Sequence, residues 1–216
     1  AQGADAGVYG ARAAIIGGCV GTSNVYAGKL FSVPVSGTMA HSWVMNFPSE
    51  LEAFRAYARS FPDNCLLLVD TYDTLRSGVP HAIQVFRELR ESGYEPKGIR
   101  LDSGDLAYLS KKARKMLDEA GFPDAVICAS GDLDETLIRY LKLQGAAIDT
   151  WGVGTKLITS ADMPALGGVY KLAAVYEDGK EIPKIKLSDT TEKITNPGVK
   201  EVYRIYDAAT DKAIAD

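Results

Sequence analysis

The sequence predicts an α/β protein whose main part is built on a parallel β-sheet. From Cys65 onward, short apolar runs alternate with stretches of helical periodicity, and the unit recurs roughly every 25 to 33 residues. Beyond Gly167 this rhythm stops, and shorter strand-like runs follow that are joined by turn residues. We therefore predict an α/β domain that carries the catalytic residues over 1–167 and a β-rich segment, part of a second domain, over 168–216.

Capping and turn signals place the individual elements. Ser49 is a suitable N-cap, and Glu52 three residues later completes a capping box. Asp178 and Gly179 lie between two strand-like runs and predict a hairpin turn. Helices are predicted over 4–18, 41–46, 106–120 and 134–143. Three more are predicted: one from a cap at Thr22 or Ser23 to residue 30, one that starts at Ser49, and one that contains Ile83, Phe86 and Leu89 and ends at Gly93. Strands are predicted over 31–35, 65–70, 98–102, 125–130, 147–153, 169–176, 181–187 and 201–206.

The composition is that of an ordinary globular protein. The chain has 216 residues and a net charge of −4, and it lacks the basic excess typical of nucleic-acid-binding proteins. No apolar run approaches the about 18 residues that a membrane span needs, so neither nucleic acid nor membrane is expected as a partner. Three widely spaced cysteines, Cys19, Cys65 and Cys128, favour unpaired thiols and predict a reducing, cytoplasmic setting. The chain begins without methionine, and we expect a piece of a longer protein.

Polar residues, often with glycine, follow each of the five predicted strands of the α/β part. They are Ser36-Gly37-Thr38 with His41, Asp70-Thr71-Tyr72-Asp73, Asp102-Ser103-Gly104-Asp105, Ser130-Gly131-Asp132 and Gly152-Val153-Gly154-Thr155. In parallel α/β folds, and above all in barrels, active sites lie at the carboxyl ends of the strands. One such end would mean little, whereas five in series indicate an enzyme.

The residue types at these ends favour anionic ligands, although each has an alternative explanation. Small residues at the last two ends leave backbone N–H groups free to bind a phosphate, or they form plain tight turns. Arg100 lies within an apolar strand and needs an anionic partner, which is either an acid such as Asp70 or the carboxylate of a ligand. His41 is either a catalytic group or a core histidine with satisfied hydrogen bonds.

The acids Asp70, Asp102 and Asp105 also have more than one interpretation. They can bind magnesium, hold ribose hydroxyls or orient a histidine. Alternatively, each caps the helix that follows it, and Asp105, directly before Leu106, is the best candidate for a plain cap. A histidine, several acids, an arginine and two phosphate-type turns together suit a sugar-phosphate substrate with an anionic acceptor.

Taken together, these strand ends resemble those of the nicotinate phosphoribosyltransferase family. The motifs that carry the resemblance are Gly37-Thr38-Met39-Ala40-His41-Ser42, Asp70-Thr71-Tyr72-Asp73, Arg100-Leu101-Asp102-Ser103-Gly104-Asp105-Leu106 and Gly152-Val153-Gly154-Thr155. Residues 1–7, 21–24 and 195–198 extend it, so that it covers nearly the whole chain.

The resemblance implies a reaction and roles for single residues. The family joins nicotinate to the ribose of phosphoribosyl pyrophosphate, which gives nicotinate mononucleotide and pyrophosphate for NAD synthesis. ATP hydrolysis is coupled through a phosphorylated histidine, which maps to His41, and Asp70 matches the acid that orients it. Arg100, with Thr38 beside it, matches the group that holds the nicotinate carboxylate. The remaining matches are Asp102 and Asp105 near the ribose and magnesium, Ser103 among the substrate-binding residues, and Gly131, Gly154 and Thr155 at the ribose 5-phosphate.

The resemblance also implies an architecture. The expected fold is an irregular (β/α) barrel, incomplete in this chain, beside a second domain built from both chain ends, and the full-length protein is expected to be a homodimer with shared sites. Mg2+, with Asp105 as a ligand, and ATP are the expected cofactors. An N-terminal part that would supply an aromatic residue to stack on nicotinate is missing here. Two alternatives stay open: a phosphoribosyltransferase for nicotinamide or quinolinate, and a folded but inactive core fragment.

Overall fold

The computed structural model describes residues 3–159, 161–163, 170–186, 194 and 196–215. It divides into two compact units, Ala1–Tyr170 and Lys171–Asp216. The predicted boundary at Gly168 lies outside the described residues. Within the described residues, no helix combines the length and the apolar character that crossing a membrane requires.

The first unit contains helices around a parallel sheet. The helices are α1 (Ala4–Ile16), α2 (Val25–Phe31), α3 (His41–Met45), α4 (Glu50–Ser60), α5 (Val79–Glu91), α6 (Leu106–Glu119), α7 (Glu135–Leu143) and α8 (Thr155–Ile158), with a 3₁₀ turn at Pro62–Asn64 and a π-helical turn at Thr74–Gly78. The strands are β1 (Leu66–Leu68), β2 (Gly98–Leu101), β3 (Val126–Ala129) and β4 (Thr150–Trp151). The predicted α/β class is therefore confirmed.

The four strands follow chain order across the sheet, and each neighbouring pair is parallel. Over the described residues the sheet is open and does not close into a barrel. Hydrogen bonding continues past the strand ends, because Val69 N donates to Arg100 O and Ser130 N donates to Leu101 O. The carboxyl ends of β1, β2 and β3 are thereby held side by side.

The core lies between the sheet and helices α4, α5 and α6. Phe54, Leu67, Phe86, Ile99 and Ile127 are fully buried in it. Burying a large apolar side chain contributes about 1.5 to 3 kcal/mol, so this core fixes the strands whose ends carry the polar residues.

The predicted strand over 31–35 is wrong. Helix α2 continues through Phe31, and Ser32 ends it in a left-handed conformation with φ of 54°. Pro34 has no N–H to donate to a strand ladder, and only an isolated parallel bridge joins Val35 to Thr22. The cap predicted at Thr22 or Ser23 is also wrong, because the Asn24 side chain accepts a hydrogen bond from Ala27 N and caps α2.

The second unit consists of two small antiparallel hairpins. β5 (Ala174–Glu177) pairs with β6 (Lys180–Pro183), and β7 (Ile205–Tyr206) pairs with β8 (Ala213–Ala215). The predicted turn at Asp178 and Gly179 is confirmed, and φ is positive at both residues, as a type I′ turn requires. The predicted strands over 169–176, 181–187 and 201–206 are longer than those observed, and residues 169 and 187 lie outside the described part. β8 was not predicted.

Candidate active site

Four polar side chains meet at the carboxyl edge of the parallel sheet. His41 is the first residue of α3, Asp70 comes two residues after β1, Arg100 lies in β2, and Asp102 directly follows β2. His41 Nε2 lies 4.0 Å from Asp70 Oδ1 and 3.6 Å from Asp102 Oδ2. Arg100 Nη2 donates to Asp102 Oδ1 over 2.8 Å. The parallel sheet thus joins residues far apart in sequence into one cluster, which supports a candidate active site.

Asp70 links the end of β1 to the end of β2. Its Oδ2 accepts hydrogen bonds from Asp102 N at 2.8 Å and Ser103 Oγ at 2.7 Å. Its side chain is 2% exposed, and Oδ1 is buried without a hydrogen-bond partner among the described residues. Burying a carboxylate oxygen without a partner costs free energy. This oxygen, Asp70 Oδ1, faces His41. The arrangement favours a functional role for Asp70 over the alternative that it caps a helix.

Arg100 is held by partners from three parts of the chain. Nε donates to Ser130 Oγ at 2.7 Å, Nη1 donates to Thr38 Oγ1 at 3.2 Å and to Met39 O at 3.4 Å, and Nη2 donates to Asp102. The acid that pairs with it is therefore Asp102, whereas the sequence suggested Asp70. A guanidinium has five N–H groups, so one N–H, on Nη2, has no partner among the described residues.

Asp102 is the most strongly perturbed acid of the cluster. The neighbouring His41 ring is the main cause that lowers the pKa of its carboxyl, and hydrogen bonds from Ser130 and Arg100 lower it further. Burial acts in the opposite direction, but the pKa stays well below its ordinary value. Asp102 is thus an anion at neutral pH, held between a histidine and an arginine.

His41 has two different environments at its two ring nitrogens. Nδ1 lies 3.1 Å from Thr71 Oγ1. Nε2 is buried without a hydrogen-bond partner in the described part of the chain, and the two carboxylates of Asp70 and Asp102 are the acids in front of it. A core histidine with satisfied hydrogen bonds does not fit this arrangement, because one nitrogen is left unsatisfied.

Of the two further residues predicted near the substrate, Ser103 contacts this cluster and Asp105 caps a helix. Ser103 contacts it through its bond to Asp70. Asp105 is exposed, and its Oδ1 caps α6 by accepting from Tyr108 N at 2.9 Å, so the capping interpretation is correct. The described residues contain no group of three or more His, Cys, Asp or Glu side chains that could hold a metal ion. Mg2+ binding at Asp105 remains a prediction.

The glycine-bearing turns lie at the same edge of the sheet. Gly131 follows β3 with φ of +98°, and a Cβ there would lie 2.2 Å from Asp102 O. The absence of a side chain therefore lets the ends of β2 and β3 approach closely. Gly154 and Thr155 are exposed at the start of α8 and form no hydrogen bond with His41 or Arg100, all of which are described residues. A phosphate-binding role for Gly131, Gly154 and Thr155 remains a prediction.

Comparison with known proteins identifies the family of the chain. Residues 2–208 match the model of the nicotinate phosphoribosyltransferase (NAPRTase) family. The chain belongs to this family. The resemblance that the strand-end motifs indicated is therefore confirmed.

Individual relatives agree with the family assignment. The nicotinate phosphoribosyltransferase of Bacillus subtilis is 60% identical over 212 residues, which are 98% of this chain and 43% of that protein. The protein of the same name from Dictyostelium discoideum is 41% identical and covers 95% of this chain and 42% of its own length. The crystal structure of human nicotinic acid phosphoribosyltransferase has a TM-score of 0.67 at 30% identity, over 71% of this chain and 41% of that chain. The chain thus spans less than half the length of these relatives.

Sequence reasoning missed two hydroxyl groups in this candidate site. Ser130 accepts from Arg100 Nε and donates to Asp102 Oδ1 over 2.5 Å, so it bridges the ion pair. Thr71 contacts His41. Both lie in strand-end motifs that the sequence singled out, but serine and threonine at turns are common, and nothing in the sequence distinguishes these two from helix caps.

A second buried acid lies near the start of α4. Glu50 Oε2 accepts from His81 Nδ1 at 2.8 Å and from Ser77 Oγ at 2.5 Å, and the Glu50 side chain is 3% exposed. The contact ties α4 to the π-helical turn and to α5, which follow the Asp70 segment. His81 is therefore a structural residue, and its side chain is partly buried.

Proposed function

We propose that the full-length protein containing this chain transfers the phosphoribosyl group of phosphoribosyl pyrophosphate to nicotinate. The products are nicotinate mononucleotide and pyrophosphate, and ATP hydrolysis is coupled to the transfer through a phosphohistidine at His41. The observation that carries the proposal is the position of the His41 ring, within 4.0 Å of two carboxylates and beside the Arg100–Asp102 pair. Family membership supports the reaction class.

The ATP step uses the histidine as a nucleophile. A ring nitrogen of His41 attacks the γ-phosphorus of ATP, a nitrogen–phosphorus bond forms, and the bond to the oxygen of ADP breaks. Asp70 and Asp102 stabilise the positive charge that develops on the imidazole as it is phosphorylated. Water later cleaves the nitrogen–phosphorus bond and releases phosphate. The buried Asp70 Oδ1 has no hydrogen-bond partner among the described residues, so this oxygen can approach the ring without first giving up a hydrogen bond.

Arg100 and Thr38 are the proposed binding site for the nicotinate carboxylate. One Nη2 N–H of Arg100 has no partner among the described residues, and Thr38 Oγ1 lies 3.2 Å from Nη1. A carboxylate that accepts from the guanidinium would gain a charge-assisted hydrogen bond. The Thr38 hydroxyl, which donates to Met39 O, would turn its hydrogen to the carboxylate when nicotinate binds. Ser130 and Asp102 hold the fork from the other side, so its direction is fixed before the substrate arrives.

The sugar-phosphate part of the substrate is assigned to the remaining strand ends. Gly131, Gly154 and Thr155 would offer backbone N–H groups and a hydroxyl to the 5-phosphate. Ser103 and Asp102 would bind the ribose hydroxyls. Asp105 fits one ligand of Mg2+, because its carboxylate is exposed and only Oδ1 is used by the helix cap. When bound with substrate phosphates, Mg2+ would neutralise the leaving pyrophosphate.

The setting proposed for the full-length protein is a cytoplasmic homodimer in NAD biosynthesis. The three cysteines of the chain are free, and Cys65 is buried in the core, which supports a reducing compartment. Two alternatives remain, each with a separate test. Nicotinamide or quinolinate as acceptor would appear in competition binding against nicotinate. An inactive core would appear as a folded chain that forms no product.

Product formation tests the proposal directly. Full-length protein is incubated with nicotinate and phosphoribosyl pyrophosphate, with and without ATP, and nicotinate mononucleotide is measured. We expect ATP to stimulate the wild-type reaction and His41→Ala to lose the stimulation. His81→Ala is the matched control, since His81 is the other histidine of the chain and contacts Glu50 instead of the site acids. Equal ATP stimulation in His41→Ala and wild type would refute the coupling.

A further inference from the structure

The Thr71 hydroxyl contacts one nitrogen of the His41 ring, and no established step of the proposed reaction uses it. Thr71 directly follows Asp70 in the chain and is fully buried. Its Oγ1 lies 3.1 Å from His41 Nδ1, which is the hydrogen-bond partner of this hydroxyl among the described residues. The hydroxyl hydrogen is therefore available to the ring alone.

The carboxylates around the other nitrogen decide which partner donates. A neutral imidazole carries one N–H and one lone pair. Nε2 lies 3.6 Å from Asp102 Oδ2 and 4.0 Å from Asp70 Oδ1. A lone pair at Nε2 would face two negative groups, whereas an N–H there is attracted to both. The proton consequently belongs on Nε2, Nδ1 accepts, and the Thr71 hydroxyl donates.

Thr71 also distinguishes the two orientations of the ring. Turning the ring by half a rotation would replace Nδ1 with a carbon and break the hydrogen bond to Thr71. It would also replace Nε2 with a carbon in front of Asp70 and Asp102. Threonine has a restricted χ1, and Thr71 is fully buried. The position of its Oγ1 is therefore fixed, and only one ring orientation of His41 places a nitrogen beside it.

We propose that Thr71 is a positioning residue that holds the His41 ring in one orientation, with Nδ1 toward Thr71 and Nε2 toward the two acids. The acids keep the proton on Nε2, and Nδ1 carries the lone pair, which the Thr71 hydroxyl must release before Nδ1 attacks ATP. The consequence for the rate rests on the proposed function, because it matters only if His41 reacts with ATP. The orientation and tautomer themselves follow from the contacts at the two nitrogens, whatever the reaction.

Two substitutions separate the hydroxyl from the shape of the side chain. Thr71→Val keeps the branched shape and removes the hydroxyl, whereas Thr71→Ser keeps the hydroxyl. Ser110→Ala is the control for loss of a buried hydroxyl elsewhere, since Ser110 Oγ donates to Ala107 O and accepts from Ala147 N, and both partners lie outside the site. Thermal unfolding of all three variants shows whether each is folded.

The tautomer is read from long-range 1H–15N spectra of the full-length protein labelled with 15N-histidine, at a pH where imidazole is neutral. The His41 signals are those lost in His41→Gln. We expect one set of His41 ring signals, with the proton on Nε2, in wild type, Thr71→Ser and Ser110→Ala, and a second set from the turned ring in Thr71→Val. A proton on Nδ1 in wild type, or a single unchanged set of His41 signals in Thr71→Val, would overturn the proposal.

Kinetics give the second readout. We expect the ATP-stimulated kcat of Thr71→Val to fall about five- to tenfold, the effect of one lost hydrogen bond, with KM for nicotinate unchanged and Thr71→Ser near wild type. A turned ring in Thr71→Val with an unchanged kcat would overturn the positioning role. If wild type shows Nε2–H but no ATP stimulation, the proposed function fails while the positioning of the ring stands.

Discussion

Replacing Arg100 with lysine tests whether the guanidinium is held by the strand ends as the structure shows. Arg100 bonds the side chains of Ser130, Thr38 and Asp102 from three different nitrogens. A lysine ammonium is a compact charge and cannot reproduce this fork. Arg100→Lys therefore leaves at least two of the three side-chain partners without their donor.

The magnitude follows from these lost contacts. A hydrogen bond in a partly buried site contributes about 1 to 1.5 kcal/mol, so two of them give about 2 to 3 kcal/mol in the free energy of unfolding. The matched control is Arg55→Lys, because Arg55 also forms a forked pair, with Glu88. The side chains of Arg55 and Glu88 are 37% and 39% exposed, against 24% and 28% for Arg100 and Asp102. Solvent screens the Arg55 pair, so its loss should be clearly smaller.

Urea unfolding followed by tryptophan fluorescence measures both variants. Trp43 and Trp151 pack against the core of the first unit and report on its unfolding. We expect Arg100→Lys to unfold at a distinctly lower urea concentration than Arg55→Lys. Equal midpoints in the two variants would refute the reasoning, because they would mean that the contacts of Arg100 at the strand ends hold the fold no better than a surface ion pair.

Three further predictions concern the same unit. The pKa of Asp102 is lowered in the folded state. Asp102 therefore stabilises the fold above its unfolded pKa of about 4, and this stability is lost as the pH falls below that value. The urea midpoint should drop more steeply in acid for wild type than for Asp102→Asn, and parallel pH curves of the two midpoints would contradict this. Gly131→Ala should lower the free energy of unfolding by more than about 2 kcal/mol, because its Cβ would meet Asp102 O at 2.2 Å. Gly93→Ala should cost about 1 kcal/mol, since Gly93 has a similar positive φ in open space, and similar losses in the two variants would argue against the close approach. Burial raises the pKa of the Cys65 thiol to about 12, so iodoacetamide should modify the exposed Cys19 in the native chain and spare Cys65, as mass spectrometry of the digested protein would show; rapid labelling of Cys65 would contradict this.

The sequence predicted the part of the site that depends on local signals. The apolar runs of β1, β2 and β3 end at Asp70, Asp102 and Ser130, and parallel pairing brings such ends to one edge. A residue inside a strand, Arg100, could be recognised because a charge in an apolar run needs a partner. Asp70, Arg100 and Asp102 are therefore found at the strand ends where the sequence placed them, whereas His41 joins them from the start of α3 and not from the end of a strand.

The remaining features depend on contacts that a linear pattern does not contain. Thr71 and His41 are 30 positions apart, and their pairing follows from how α3 packs against the end of β1. The strand predicted over 147–153 is reduced to β4, because the Asp149 carboxylate accepts from Ile127 N at 2.7 Å and occupies a donor of the neighbouring strand. Glu50 has the sequence appearance of an ordinary acid in a first helical turn, yet it is buried against His81.

The most direct test of the account is a measurement of phosphate on His41. Full-length protein is incubated with ATP labelled at the γ-phosphate, digested without acid treatment, and searched for a labelled peptide that contains His41. We expect an acid-labile, base-stable phosphate on His41 in wild type and none in His41→Gln, with His81 unlabelled in both. A protein that forms nicotinate mononucleotide with ATP stimulation but carries no phosphate on His41 would contradict the central role of this residue.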